Sequence, residues 1–223
     1  MIPLKDTTPA RTTPFVNFAL ILANVLVFFY QASLPARAEQ AFVMANATIP
    51  AHVEHFLAGH AGFQAALLPL FTSMFLHGGL MHLLGNMLFL WIFGDNVEEY
   101  FGHVGYLFFY LVCGVGSGLV HVLFNLSSRL PAIGASGAIS GVMGAYILLF
   151  PRHRILTFFF IFVIPVPAFL ILGYWFVLQF LAGIGTLGGR ASGGVAWWAH
   201  IGGFLLGLAI TAVVRKKYRV YGD

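Results

Sequence analysis

The chain has 223 residues, of which 60% are hydrophobic and 8% charged, and its mean hydropathy is +0.90. A soluble domain carries about 25% charged residues, so this composition excludes one and indicates a polytopic membrane protein. The formal charge of +4 comes from scattered juxtamembrane Lys and Arg rather than a basic patch, which excludes nucleic acid as a partner, and the single cysteine, Cys113, excludes an intramolecular disulfide.

Apolar runs of about 18 residues or more can cross a bilayer as helices. Taken in chain order, the sequence predicts six spans, at 14–33, 79–97, 102–126, 135–150, 155–181 and 195–214. The first run is too long for a signal-peptide core and has no small-residue cleavage site in reach, so a retained helix is expected. The layout is one domain: a tail at 1–13, a membrane bundle at 14–214 and a basic tail at 215–223.

Between spans one and two, segment 34–78 is apolar but broken by Pro35, Pro50, Gly59, Gly62 and Pro69. Irregular backbone at membrane depth survives only when packed on protein or facing water, so short helices in the outer interface are expected. Six spans put both termini on one side. That side gathers eight basic residues, from Lys5, Arg11, the 151–154 turn and the tail, against three on the other, Arg37, Arg129 and Arg190. The positive-inside rule then makes both termini cytoplasmic.

This alternation opens the N-terminal ends of spans two, four and six on the outer side. Span two begins "HGGLMHLLGNMLFLW", with His82 and Asn86 four residues apart on one helical face. Span four opens with Gly134, Ser136 and Gly137, and span six carries His200 about a turn and a half inside. A serine, two histidines and an asparagine thus fall at similar depth on three helices of the same direction. Ionisable groups at such depth are costly and mark functional sites by default.

Each residue also has a plainer explanation. Ser136 lies beside a GxxxG step, Gly137 and Gly141, extended by Gly144, and small residues let helices pack closely. Asn86 fits an interhelical hydrogen bond, and His200 a hydrogen-bonded core histidine. His77 and His82 are five residues apart, off the spacing of a helical zinc pair, with no acidic ligand nearby. Ser136 is not on an α/β-hydrolase elbow, since Ala138 stands where GxSxG needs glycine.

Together the four residues suit acyl transfer. Serine needs a base, and His200 is the candidate. The carboxylates Asp6, Glu39, Glu54, Asp95, Glu98, Glu99 and Asp223 all lie in tails, loops or the far end of span two, so a dyad rather than a triad is expected. His82, the Asn86 amide and the backbone N–H of Ser136 could stabilise an oxyanion. The Gly-rich segment 183–194 could admit water or act as a cap.

The pieces "HGGLMHLLGN" at 77–86, "GASG" at 134–137 and "AHIGGFLLG" at 199–207, in this order and on these spans, resemble the rhomboid intramembrane serine proteases over about residues 14–214. The resemblance implies an all-α membrane protein, a six-transmembrane-helix bundle with a membrane-embedded first loop at 34–78. It implies Ser136 as nucleophile, His200 as general base, and His82, Asn86 and Ser136 as oxyanion-stabilising groups, with no metal or organic cofactor. Gly134, Gly137, Gly203 and Gly207 would support helix packing. Substrates would be single-span transmembrane proteins held in the lipid bilayer, entering past span five with its Pro165 and Pro167.

Two departures stand out. Some relatives have an aromatic residue four positions beyond the nucleophile, stacked on the imidazole; here it is Ser140, leaving Trp197 or Trp198 as candidates to orient His200. The Trp-Arg pair of many relatives' first loops is replaced around Leu68 and Pro69. A catalytically silent binder of membrane proteins needs neither Ser136 nor His200. A channel or transporter would call for paired broken helices and a buried acid. A histidine base predicts loss of activity in acid, around the ordinary imidazole pKa of about 6.5. Without an Arg-rich transit peptide or a large extra domain, a prokaryotic plasma membrane is expected.

Overall fold

The computed structural model describes residues 2–8, 10–187 and 195–215. Its helices invert the soluble pattern, with apolar side chains facing out and polar ones turned in. In α1 (Phe15–Ser33) the buried stripe is Asn17, Leu20, Asn24, Phe28 and Gln31, while Phe18, Leu22, Leu26 and Phe29 are exposed. Seven-residue steps place Asn17, Asn24 and Gln31 on one face, and a polar side chain facing lipid would be costly.

The first loop folds into four short helices, α2 (Ala36–Asn46), α3 (Pro50–Leu57), α4 (Phe63–Ala66) and α5 (Pro69–Thr72), and a 3-10 turn, Ser73–Phe75. Pro50 and Pro69 occupy first helical positions, where the missing N–H costs nothing. Thr48 exchanges backbone bonds with Ala132, and its hydroxyl meets the Ser73 hydroxyl at 2.9 Å. The loop is thereby tied to the connection that leads into the fourth predicted span.

Five helices among the described residues are long and apolar enough to cross a membrane: α1, α6 (Leu80–Phe101), α7 (His103–Phe124), α9 (Ala168–Thr186) and α10 (Trp197–Val214). The sixth, α8 (Ser136–Leu149), has 14 residues. At 1.5 Å per residue it is about 21 Å long, short of a hydrocarbon core of about 30 Å. Eleven of its residues are buried, which makes it the central helix.

Glycine makes that centre possible. A Cβ at Gly203 would strike the carbonyl oxygen of Gly137, one at Gly207 that of Gly141, and one at Gly144 that of Phe204. α8 and α10 therefore meet backbone to backbone, as small residues permit.

The span expected at 155–181 is corrected. Its first part forms two antiparallel strands, β2 (Arg154–Phe159) and β3 (Phe162–Pro167), and the helix α9 starts only at Ala168. Pro165 and Pro167 would break a helix interior. On β3 they lie on a sheet edge, where a missing donor is tolerated. The prolines thus precede the fifth helix rather than kink it. Residues inside the expected tail 1–13 form a third strand, β1 (Ile2–Asp6), paired antiparallel with β2.

At this end of the bundle Glu98 is buried and accepts the N–H groups of Val16 at 3.0 Å and Asn17 at 2.7 Å, capping α1, together with His103 Nδ1 at 2.5 Å. Asp6, also buried, accepts from the Tyr146 hydroxyl and the Thr8 N–H. Arg190 with the rest of 188–194, and the tail from 216 onward, lie outside the described residues.

Candidate active site

Ser136 is the first residue of α8, and the shortness of that helix sets it below the level where its longer neighbours begin. His200 lies in the first turn of α10. The close approach of the two helices brings His200 Nε2 to 2.8 Å from Ser136 Oγ. The Ser136 hydroxyl donates when Nε2 is the unprotonated nitrogen. Ser140, one turn on, donates to the Ser136 carbonyl at 2.6 Å and does not face the imidazole.

His82 and Asn86 line the same cavity from α6. Gly78 N–H donates to His82 Nδ1 at 3.3 Å, which leaves Nε2 to carry the ring proton. Asn86, buried, is held by a contact of 2.9 Å between its Nδ2 and Nε2 of the fully buried His77. His77 is in turn gripped by α1: Gln31 donates to its carbonyl at 3.0 Å and accepts its N–H at 3.4 Å.

Gly134, expected to support helix packing, has a different place. It precedes α8 with φ +125°, and a Cβ there would come within 2.8 Å of His82 Nε2. Its lack of a side chain keeps space open between His82 and Ser136. Gly137 does pack, its missing Cβ giving room to the Ser117 side chain.

The cavity measures about 530 Å³. Ser136, His200, His82 and Asn86 supply its polar groups, and Phe89, Met143 and Trp175 are among its apolar lining. Behind Ser136 a space of about 30 Å³ touches Thr48, Ser73, Ser117 and His121, large enough for a single water.

Of the tryptophans proposed to orient His200, Trp197 meets the ring edge-on with centroids 6.3 Å apart. Trp198 instead stacks on Phe124 at 3.8 Å and donates to Thr186. Sequence reasoning missed two neighbours from α9: Trp175, 5.9 Å from the imidazole, and Gln179, whose Oε1 is 2.7 Å from His200 Nδ1. A lone glutamine in the apolar run 168–186 was the available signal. Likewise His77, considered only as a metal ligand, packs against His82 with ring centroids 5.1 Å apart and holds Asn86. Among the described residues no group of three or more His, Cys, Asp or Glu is placed to hold a metal.

A family model described as the rhomboid domain matches residues 64–217. The chain belongs to the rhomboid family. It is 30% identical to RHOMBOID-like protein 12, mitochondrial, of Arabidopsis thaliana, over 90% of this chain and 59% of the relative. Rhomboid protein 1, mitochondrial, of Saccharomyces cerevisiae is 34% identical over 61% of this chain and 38% of its own length. RHOMBOID-like protein 6, mitochondrial, of Arabidopsis thaliana is 35% identical over 63% and 41%. The chain therefore spans less than two thirds of these relatives.

Membership makes this rhomboid protein a membrane-embedded protease or pseudoprotease. The expected prokaryotic plasma membrane is corrected by these relatives, which are plant and yeast proteins with mitochondrial names.

Proposed function

We propose that this rhomboid protein is an intramembrane serine endopeptidase working through a Ser136–His200 dyad. The observation that carries the proposal is the 2.8 Å contact between Ser136 Oγ and His200 Nε2 at the wall of an accessible cavity. A serine packed only as helix glue needs no imidazole at its hydroxyl.

In this mechanism His200 Nε2 takes the Ser136 proton as Oγ attacks the scissile carbonyl, and returns it to the leaving amine. The oxyanion is held by the Ser136 N–H, the Asn86 amide and His82 Nε2–H. Each preorganised donor lowers the barrier by a few kcal/mol in a water-poor site. Water then hydrolyses the acyl-enzyme, with His200 again as base. Only side chains and backbone take part, so no metal or organic cofactor enters. Gly134, Gly137, Gly203 and Gly207 serve by clearance and close packing.

The substrates are single-span membrane proteins whose helix unwinds near the membrane surface. The apolar walls at Phe89, Met143 and Trp175 favour apolar or small side chains next to the cut. Residues 14–214 form the membrane domain, in a eukaryotic organellar membrane. The test is cleavage of a panel of single-span proteins in proteoliposomes by wild type and Ser136→Ala, with product masses fixing the bond. Cleavage by wild type alone is expected. A folded wild type that cuts nothing would leave a silent binder of membrane proteins as the better account.

A further inference from the structure

Gln179 sits at the middle of α9, a helix whose other residues from 168 to 186 are almost all apolar. It is only 8% exposed. A glutamine facing lipid would be costly and one facing an apolar interface would need a partner. Its amide oxygen lies 2.7 Å from His200 Nδ1, on the side of the imidazole opposite Ser136. Trp175, one turn earlier on the same helix, flanks the ring at 5.9 Å.

An amide oxygen only accepts. Facing Nδ1, it fixes the ring proton there and leaves Nε2 bare toward the Ser136 hydroxyl, the one tautomer in which the imidazole can serve as a base. It also holds the ring plane, a task that an acid performs in the soluble triad. A neutral amide does this without bringing a second charge into the membrane. Glutamine reaches where the two buried carboxylates among the described residues do not, since Glu98 caps α1 and Asp6 meets Tyr146 at the far end of the bundle.

We propose that Gln179 is the positioning residue of the active site, completing a Ser136–His200–Gln179 relay in which α9 supplies the orienting group. The proposal rests on the endopeptidase reading of the dyad. Because α9 and α10 are separate helices, the relay is intact only while the two are packed together. Displacing α9 sideways would disarm His200.

The test compares wild type with Gln179→Leu and Gln179→Glu in proteoliposomes, using one cleaved substrate and fluorophosphonate labelling of Ser136 across pH. Thermal melts establish that each variant is folded. Gln179→Leu should lower kcat by about ten- to a hundredfold, because the imidazole loses the group that fixes its tautomer and plane, with KM little changed. Gln179→Glu should recover most of the rate at neutral pH but move the acid limb of the profile to higher pH, because a carboxylate favours the imidazolium. The titratable groups near His200 besides this position are His82 on α6 and His121 on α7, present in all three proteins.

Wild-type rates and an unmoved acid limb in both variants would overturn the positioning role, while Ser136→Ala inactivity would leave the dyad standing. A rise in KM alone, with kcat kept, would overturn it in favour of a substrate contact. Absence of cleavage and labelling in folded wild type would bring down the endopeptidase reading and the relay with it.

Discussion

The two ends of the bundle bury similar chemistry to different effect. At one end Glu98 is saturated: two backbone N–H groups and His103 occupy its oxygens. At the other, Ser136 and His200 hold each other at 2.8 Å beside about 530 Å³ of open space, with His82 Nε2 and the Ser136 N–H still free to donate. A polar network whose capacity is spent internally stabilises a fold. One that keeps donors aimed into a cavity is available to a ligand. Histidine beside an oxygen is therefore not a functional signal by itself, since His103 and Glu98 meet that description too.

The sharpest way to break this contrast is to exchange outcomes. Glu98→Ala strips a buried acceptor from the N-terminus of α1 and from the half-exposed His103, and should cost about 1–3 kcal/mol. Denaturant or thermal unfolding in detergent checks this, and activity should fall only as the folded fraction falls. Asn86→Ala at the other end should lower kcat by about a hundredfold or more, as expected for one lost oxyanion donor. Its melting temperature should fall modestly, because the buried His77 Nε2 loses its partner, while the protein stays folded. If Asn86→Ala unfolds the protein while keeping its turnover per folded molecule, the two ends are both structural.

The smallest effect concerns Asp6. Burial pushes its carboxyl above the ordinary carboxylate value, against the pull of Tyr146 and Thr8, whose hydrogen bonds favour the charged form. A group with a raised folded pKa contributes stability below its unfolded pKa and loses it as pH rises through the folded one. Asp6→Asn should therefore be slightly more stable than wild type at pH 7, by about 1 kcal/mol or less. The difference should close as pH drops toward 4. Melting curves across pH check it. The His153 imidazole, pushed down by burial against the pull of Asp6, loses that pull in Asp6→Asn, so melts of His153→Gln with and without Asp6→Asn isolate the carboxyl.

Much of this was legible in the sequence where a single physical constraint dominates. The helices α1, α6, α7, α8 and α10 follow from apolar length, and the broken first loop from its prolines and glycines. Apolar length alone failed at 155–181, because β2, β3 and α9 share one continuous hydrophobic composition and only Pro165 and Pro167 mark where helix becomes impossible. The residues brought together at Ser136 were visible because polar groups in apolar runs are few. Gln179 belongs to the same class of signal, yet a helix direction opposite to α8 and α10 gave no reason to expect it at their depth. Gly134 reads as packing from its place next to GxxxG, and its φ of +125° and its closeness to His82 Nε2 are features only the fold supplies. His77 needed the fold of the first loop before its contact with Asn86 existed.

The most direct measurement of the central claim is mass-spectrometric mapping of fluorophosphonate labelling in proteoliposomes, with wild type and His200→Ala compared at neutral pH. The account predicts a single adduct on Ser136 in wild type, formed far more slowly without the imidazole. Equal labelling of Ser136 in both proteins, or an adduct on another serine, would contradict it.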